Sequence, residues 1–336
     1  MPENVGVIGS GSWGTTIAKI LGENGHQVLL WTRRQELCDE INATRENASY
    51  LPGAKLAPGV MATTDLPRIC ETCRLIVMVV PSHGFRAVAH EIGGYLDGEH
   101  VLVHATKGIE QESFKRMSEI LREETPVRKI GVLSGPNLAR ELADRKPSGT
   151  LVASHYDEVI TRAQQALQSE YFRVYAGHDV VGAEIGGTFK NIVALAAGVV
   201  DGLKLGDNTK ALLMTRGINE MARFGSAMGA KVLTFGGMAG FGDMMATCAS
   251  SFSRNHQVGE RLARGETLEE ILEAMKMVAE GVKATRAVRT FTEGRGFSLP
   301  IVDAVYEVLY EGAPVPAAIS KLMTLATGDE FRGLVL

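Results

Sequence analysis

The sequence contains few cysteines, and their spacing argues against a metal centre or a disulfide framework. Its four cysteines are spread over 336 residues, as expected for a protein of a reducing compartment. Cys70 and Cys73 form a CxxC pair, but the pair comes just before a predicted strand, and no second pair lies nearby to complete a zinc site. We therefore expect no metal, and the pattern favours a structural role for Cys70 and Cys73.

The sequence also lacks a basic block and a long apolar run. Its formal net charge is −4, so the electrostatic footprint of a nucleic-acid-binding protein is missing. The longest apolar run, residues 192–200, is far shorter than the roughly 20 residues of a membrane span. The first residues have neither a basic n-region nor an apolar h-region. We expect a cytoplasmic protein with no nucleic-acid partner and no membrane span.

What the sequence does contain is the composition of an ordinary globular protein, with 45% hydrophobic and 22% charged residues. Its length suggests two domains. The first half alternates short β-branched runs with helical stretches, which is typical of a mostly parallel sheet covered on both faces. The predicted strands are residues 5–8, 28–31, 75–80, 101–105, 130–133, 151–153 and 172–175.

After about residue 180 the strand pattern stops and helical periodicity continues to the end. A capping box at residues 267–270, and prolines at 300 and 314 where a first helical turn accepts them, indicate helix starts. The sequence predicts an α/β Rossmann-like nucleotide-binding domain over residues 1–179. An all-α domain follows over residues 180–336.

A glycine-rich turn follows the first predicted strand directly. Gly9, Gly11 and Gly14 have the spacing of the dinucleotide fingerprint: one for the tight turn, one for close approach to a pyrophosphate, and one for helix packing. A helix from about residue 15 to 23 and a second strand at residues 27–31 supply the context that the fingerprint requires. These residues predict a dinucleotide site with the pyrophosphate at the helix N-terminus.

Arg33 and Arg34 follow the second strand, where a carboxylate would normally bind the ribose 2′-hydroxyl. A guanidinium matches the geometry of a phosphate, which points to a dinucleotide with a 2′-phosphate. The alternative is a pair of solvated surface arginines that begin a helix.

Ligands of an open parallel sheet gather beyond the carboxyl ends of the strands. Lys107 lies on such a loop, where it could hold an anionic substrate or polarise a carbonyl, or could simply be solvated. Lys190 falls on a helical stripe that contains the small residues at positions 183, 187, 194 and 197. It must either extend its ammonium group to solvent or be partly desolvated, which would lower its pKa towards the range of acid–base catalysis.

Ser253, Arg254 and Asn255 begin another predicted helix. Backbone N–H groups, a hydroxyl, an amide and a guanidinium together suit a phosphate monoester. The alternative is that Ser253 is only the N-cap of the helix.

Taken together, these segments resemble the bacterial NAD(P)-dependent glycerol-3-phosphate dehydrogenases over nearly the whole chain. The resemblance rests on several blocks in the same order, namely residues 9–14, 50–53 (Tyr-Leu-Pro-Gly), 105–108 (Ala-Thr-Lys-Gly), 134–136 (Ser-Gly-Pro), 190–191, 215–217 and 240–255. It implies a Rossmann-like domain, an all-α domain and a cleft between them.

The resemblance also implies roles for individual residues. Lys190 matches the proton donor and acceptor, Asp243 a residue that orients it, and Lys107 a lysine that touches substrate and nicotinamide. The implied substrate-binding positions are Lys107, Gly135, Asn137, Lys190, Asp243, Ser253, Arg254 and Asn255. The implied cofactor-binding positions are Gly9, Gly11, Ser12, Trp13, Gly14, Arg33, Arg34, Tyr50, Lys107, Ala139, Arg254, Val278 and Glu280. Asn137 is a departure, because Ser or Thr at this position is more typical of bacterial members and Asn of eukaryotic ones.

The implied reaction is reversible hydride transfer between NAD(P)H and dihydroxyacetone phosphate, which gives sn-glycerol 3-phosphate for phospholipid synthesis. NADPH is the expected cofactor and NADH a possible one, and a homodimer is expected from the family. Two alternatives stay open: a related two-domain 3-hydroxyacid dehydrogenase, which would bind a carboxylate, and a non-catalytic dinucleotide-sensing regulator, which would not need Lys190, Asp243 or Lys107.

Overall fold

The computed structural model describes residues 2–275, 279–296, 298–326 and 328–331. Its chain forms two compact units, one of Met1–Lys107 with Arg116–Val180, the other of Gly108–Lys115 with Val181–Leu336. The sequence pattern places the short segment Gly108–Lys115 in the first domain. It belongs to the second unit, where Ile109 and Phe114 pack into the apolar core.

The first unit is built on an eight-stranded sheet with the strand order β3-β2-β1-β4-β5-β6-β7-β8. The strands are β1 (Asn4–Ile8), β2 (Gln27–Trp31), β3 (Val60–Thr63), β4 (Leu75–Met78), β5 (Val101–His104), β6 (Lys129–Ser134), β7 (Ser148–Ser154) and β8 (Phe172–Gly177). Neighbouring strands are parallel except for the antiparallel pair β6 and β7. The predicted mostly parallel Rossmann-like sheet is confirmed.

The chain order reverses between β1 and β4, which lie side by side with Val5 opposite Leu75 and Ile8 opposite Met78. All four residues of β4 are buried, as the continuous apolar run predicts for a central strand.

The sequence pattern did not predict strand β3. This four-residue strand has an exposed Met61 and offers no continuous β-branched run, so its pairing with β2 depends on tertiary structure.

Helices cover both faces of this sheet. They are α1 (Ser12–Glu23), α2 (Gln35–Thr44), α3 (Leu66–Thr72), α4 (Ser82–Gly93), α5 (Met117–Glu124), α6 (Ala139–Ala143) and α7 (Asp157–Leu167). Alternate strand residues face opposite sides. Val77 and Val103 belong to one apolar core, and Ile76 and Leu102 belong to the other.

The CxxC pair is part of the second of these cores. Cys70 and Cys73 are buried at the end of α3, and burial raises the pKa of each thiol to about 12. At that pKa the nucleophilic thiolate is scarce near neutral pH. The geometry therefore agrees with a structural role for both cysteines.

From residue 181 onward, the regular secondary structure of the described residues is helical. The α-helices are α8 (Val180–Gly202), α9 (Asp207–Ala227), α10 (Asp243–Ala249), α11 (Arg254–Ala263), α12 (Leu268–Ala274), α13 (Glu280–Thr292), α14 (Pro300–Tyr310) and α15 (Val315–Met323), with a 3₁₀ turn at Val232–Gly236 and a π-helical turn at Met238–Gly242. The predicted capping box of α12 at Thr267 is present, and Pro300 occupies the first turn of α14. Pro314 is instead the residue just before α15.

One helix of this unit, α8, is long and apolar enough by length and composition alone to cross a membrane. However, 89% of its apolar window is buried inside the protein, which is also the property of a core helix.

The same unit buries a carboxyl group on α9. Glu220 is 2% exposed and accepts hydrogen bonds from the backbone N–H groups of Ile301 and Val302, at the start of α14.

Candidate functional site

The glycine turn between β1 and α1 has the local geometry that the fingerprint requires. Gly9 has a φ of 120°, a backbone conformation that side chains disfavour, and a methyl group on Gly14 would lie 1.8 Å from the carbonyl oxygen of Gly9. A methyl group on Gly11 would meet no atom within 4 Å. Gly9 and Gly14 are therefore required by the turn itself, whereas the fold alone does not explain Gly11.

The N-terminus of α1 fits the pyrophosphate of a dinucleotide. Gly11 is the residue that caps α1, and it has no side chain that could accept hydrogen bonds from the first N–H groups of the helix. These groups carry the positive end of the helix dipole, which favours an anion. Open space at Gly11 and an N-terminus without a capping side chain are what a closely approaching pyrophosphate needs.

Three of the other predicted cofactor-binding residues are tied to this turn by hydrogen bonds. The Ser12 hydroxyl donates to the carbonyl oxygen of Tyr50 at 2.7 Å, and Thr16 of α1 donates to the carbonyl oxygen of Ala139 at 3.1 Å. Trp13 and Tyr50 are partly buried against the apolar core of the first unit. The structure therefore brings Ser12, Tyr50 and Ala139 together around the first turn of α1.

Arg33 and Arg34 follow β2 directly, next to β1 and its glycine turn. Both side chains are exposed, and the Arg34 guanidinium lies 5.9 Å from the centroid of the Tyr50 ring. An exposed guanidinium beside an aromatic ring can stack on a base, bind a phosphate, or remain solvated. The geometry of this pair is compatible with each of the two sequence interpretations.

Lys107, Gly135 and Asn137 belong to the region that follows β5 and β6. The Lys107 ammonium group lies 3.5 Å from the carbonyl oxygen of Gly135. Asn137 bonds to β7 at both ends of its amide: it donates to the carbonyl oxygen of Gly149 at 3.2 Å and accepts from the Thr150 hydroxyl at 2.9 Å. The Asn137 side chain therefore joins the loop after β6 to β7 through two hydrogen bonds.

Lys190 on α8 is buried and paired. The side chain is 6% exposed, and its ammonium group donates to the carboxylate of Asp243, which is 1% exposed. The alternative in which Lys190 extends into solvent is therefore wrong. The predicted stripe of small residues explains this burial only in part. Ala183, Ala194 and Ala197 are buried, but the π-helical turn that leads to Asp243 approaches the α8 backbone at Gly186.

Thr247 completes this cluster, and the sequence interpretation missed it. Its hydroxyl accepts a hydrogen bond from the Lys190 ammonium group at 2.6 Å and donates its own proton to the carbonyl oxygen of Asp243 at 2.6 Å. Asp243 and Thr247 are four residues apart on α10 and therefore share one face. That spacing is the signal that could have identified Thr247 once Asp243 was chosen.

The π-helical turn before α10 positions Asp243. Gly186 lies one turn before Lys190 on α8, and a methyl group on it would lie 2.2 Å from the carbonyl oxygen of Ala239. Ala239 in turn lies four residues before Asp243. Because position 186 has no side chain, the turn can lie against α8 and the carboxylate reaches the lysine.

The N-terminus of α11 also lies against α8. A methyl group on Gly198 of α8 would be 2.0 Å from the carbonyl oxygen of His256, so the two backbones approach closely at this point. Ser253 is the N-cap of α11, and its hydroxyl accepts from the backbone N–H of His256 at 3.3 Å. Asn255 accepts from the backbone N–H of Gly281 at 2.9 Å. This bond joins α11 to the first turn of α13, where Glu280 lies.

Arg254 is the first residue of α11 and is half-buried. Val278 lies outside the described residues. Within residues 2–275, 279–296, 298–326 and 328–331, no group of three His, Cys, Asp or Glu side chains is arranged to hold a metal ion.

Comparisons with known proteins place these features in one family. Residues 4–160 match the NAD-dependent glycerol-3-phosphate dehydrogenase N-terminus, and residues 179–320 match the C-terminus of the same family. The chain is 45% identical over 327 residues to a glycerol-3-phosphate dehydrogenase, NAD(P)+, of Geobacter sp. strain M21, covering 96% of this chain and 98% of the relative. A relative of the same name from Moorella thermoacetica is 44% identical over 323 residues, covering 96% of each chain.

A solved structure is similar over the same length. The crystal structure of glycerol-3-phosphate dehydrogenase from Coxiella burnetii has a TM-score of 0.92 and 33% sequence identity, covering 96% of this chain and 99% of that chain.

Proposed function

Because this chain belongs to the NAD-dependent glycerol-3-phosphate dehydrogenase family, we propose that it transfers hydride between NAD(P)H and dihydroxyacetone phosphate and forms sn-glycerol 3-phosphate. The enzyme is an oxidoreductase that uses a nicotinamide dinucleotide. Family membership over 96% of the chain favours this phosphate-bearing substrate over a hydroxyacid, and an enzyme over a non-catalytic regulator.

The observation that carries the proposed chemistry is the buried cluster of Lys190, Asp243 and Thr247. When bound, the reduced nicotinamide supplies the hydride that the carbonyl carbon of dihydroxyacetone phosphate receives. Negative charge then grows on the carbonyl oxygen, and a cation that can release a proton stabilises it. Lys190 is that cation: it donates its proton as general acid, and in the reverse direction a neutral Lys190 takes the hydroxyl proton.

Asp243 and Thr247 give this lysine a fixed position. Two of the three protons of its ammonium group are directed by their oxygens, on a face of α10 that the π-helical turn holds against α8. A proton donor held in this way loses little freedom on reaching the transition state. We therefore assign Asp243 and Thr247 the role of orienting Lys190.

The substrate phosphate is proposed to bind at the N-terminus of α11, through Arg254, Asn255 and the backbone N–H groups beside Ser253. The Ser253 hydroxyl already caps the helix, and the carboxamide oxygen of Asn255 accepts from Gly281. The nitrogen end of the Asn255 amide is therefore the end suited to an anion. Lys107 and Gly135 are proposed to contact the substrate, and Asn137 to support them through its bonds to β7.

The dinucleotide is proposed to bind along the glycine turn, with its adenosine end near Tyr50, Arg33 and Arg34, and with Ser12, Trp13, Ala139, Lys107, Arg254, Val278 and Glu280 as further contacts. Two exposed arginines beyond β2 favour a 2′-phosphate, which supports NADPH as the preferred cofactor and NADH as a possible one. We further propose a cytoplasmic homodimer whose product serves phospholipid synthesis.

The role of Lys190 is tested by Lys190→Ala and by Lys190→Met, which keeps most of the side-chain volume. We expect turnover of dihydroxyacetone phosphate to be abolished while the Kd for NADPH changes little, because the glycine turn lies in the other unit. Lys321→Ala is the matched control, since Lys321 pairs with Glu307 on the surface at 2.5 Å. Turnover within about tenfold of wild type would refute the assignment.

The cofactor site is tested separately by Gly11→Ala. The added methyl group meets no protein atom within 4 Å, so the fold is expected to be unchanged. If a pyrophosphate approaches this position, the methyl group obstructs it, and the Kd for NADPH rises by about tenfold or more, a loss of at least about 1.4 kcal/mol. An unchanged Kd would refute the placement of the cofactor.

A further inference from the structure

The loop between α2 and β3 contains a fully buried amide, Asn47, with 0% exposure. Its side-chain nitrogen donates to the carbonyl oxygen of Ser10 and to the Thr15 hydroxyl, both at 2.8 Å. Its side-chain oxygen accepts from the backbone N–H of Tyr50 at 3.3 Å. Both N–H groups and the oxygen of the carboxamide are therefore used.

The first two of these bonds join the two ends of the glycine turn. Ser10 lies before Gly11, and Thr15 lies just after Gly14 in the first turn of α1. The Thr15 hydroxyl also donates to the carbonyl oxygen of Ser10 at 3.2 Å. Because its partners Asn47 and Thr15 are each 0% exposed, this carbonyl is directed into the protein. A carbonyl oxygen held there does not repel an anion on the outer side of the turn.

The remaining bonds of Asn47 fix the segment that contains Tyr50. The backbone carbonyl oxygen of Asn47 accepts from the N–H groups of Tyr50 at 3.3 Å and Leu51 at 2.8 Å. The carbonyl oxygen of Tyr50 then accepts from Ser12, the first residue of α1. One side chain thus links the turn proposed to hold the pyrophosphate with the aromatic residue proposed to lie at the adenosine end.

We propose that Asn47 is a positioning residue of the dinucleotide site, which sets the spacing between the glycine turn and Tyr50. Asn47 acts on the affinity for the cofactor and takes no part in hydride or proton transfer. The proposal rests on the placement of the cofactor at the glycine turn under the proposed function.

The test is Asn47→Ala, with binding and turnover measured separately. We expect the Kd for NADPH, measured by nicotinamide fluorescence, to rise by about tenfold, which is about 1.4 kcal/mol and of the order of one or two hydrogen bonds. With both substrates saturating, kcat is expected to stay within about twofold of wild type.

Asn42→Ala is the matched control. Asn42 also uses both ends of its amide, donating to the carbonyl oxygen of Ala62 at 3.0 Å and accepting from the N–H of Ala62 at 2.8 Å, but these bonds join α2 to β3. Its loss is expected to lower the melting temperature without a change in the Kd for NADPH. If Asn47→Ala does not fold, Thr15→Val removes one partner of Asn47 without a cavity, and a severalfold rise in Kd with unchanged kcat is expected.

Equal rises in Kd for Asn47→Ala and Asn42→Ala would overturn the proposal, because the effect would then follow stability alone. A fall in kcat with an unchanged Kd would also overturn it. The Gly11→Ala variant distinguishes failure of the inference about Asn47 from failure of the proposed function. If Gly11→Ala raises the Kd and the Asn47 and Thr15 variants do not, the inference about Asn47 fails; if Gly11→Ala does not raise it, the cofactor placement itself fails.

Discussion

Replacing Gly186 by alanine should separate Lys190, the proposed proton donor, from the carboxylate of Asp243 without changing either residue. The new methyl carbon would lie 2.2 Å from the carbonyl oxygen of Ala239, whereas such contacts are essentially never shorter than 3.0 Å. The helix and the π-helical turn must therefore move apart by at least 3.0 − 2.2 = 0.8 Å. Since Lys190 and Asp243 each lie four residues further along these two segments, their hydrogen bond should lengthen by a similar amount.

Misplacement of a reacting group by about 1 Å can lower a reaction rate by about 100-fold. We therefore expect kcat for the reduction of dihydroxyacetone phosphate to fall by about 100-fold in Gly186→Ala. Overpacking should also lower the free energy of unfolding by about 1–3 kcal/mol. The KM for NADPH should change little, because the glycine turn belongs to the other unit. Initial rates followed by nicotinamide absorbance, together with urea unfolding, measure all three quantities.

Gly236→Ala is the control for this experiment. Gly236 ends the 3₁₀ turn just before the π-helical turn, and a methyl group on it would meet no atom within 4 Å. Its kcat and stability are expected to remain close to those of wild type. The reasoning is refuted if the kcat of Gly186→Ala stays within about threefold of this control, because the close approach of the two backbones would then not position the lysine.

Three further predictions concern other parts of the chain. Burial raises the pKa of the Glu220 carboxyl from 4.5 to about 7, so the folded protein holds this proton more tightly than the unfolded chain. The associated stability is fully present below about pH 4.5 and is lost as the pH rises to about 7, a fall of up to about 3 kcal/mol. Glu220→Gln should remove this fall in urea unfolding, and equal pH slopes for wild type and variant would contradict the argument. The thiols of Cys70 and Cys73 have pKa values of about 12, so at about pH 8 only about one in ten thousand is ionised. Both should resist a thiol reagent until urea unfolds the protein. Rapid labelling of the folded protein would show that they are accessible. Replacing Arg33 by Asp and Arg34 by Ala together should raise the KM for NADPH much more than the KM for NADH, and similar changes in both would mean that the pair does not bind the 2′-phosphate.

The dinucleotide turn could be predicted from the sequence because its determinants are local. Gly9, Gly11 and Gly14 act within one strand–turn–helix unit, and the flanking apolar pattern predicts that unit. Lys190 shows the limit of such reasoning. Helical periodicity placed it on a stripe of small residues but could not decide between a solvated and a buried ammonium group, because its partner Asp243 lies 53 residues further along the chain.

The parts that the sequence did not predict share this dependence on distant partners. Strand β3 has too few β-branched residues to be recognised before β2 supplies its hydrogen bonds. Thr247 becomes a candidate only after Asp243 has been placed. The resemblance implies a substrate contact for Asn137, and the structure adds that both ends of its amide bond to β7, a pairing that no local pattern predicts.

The segment Gly108–Lys115 has a consequence for how the protein is made. Its residues are synthesised in the middle of the sheet unit, yet Ile109 and Phe114 pack in the helical unit, where Phe114 meets the ring of Phe291 at 5.8 Å. While the ribosome extends the chain, these side chains have no core to enter until α8 and the later helices emerge. If the chain were divided at residue 180, the N-terminal fragment would therefore expose Ile109 and Phe114. The C-terminal fragment would lack these two side chains in its apolar core, and a peptide of residues 108–115 would be needed to supply them.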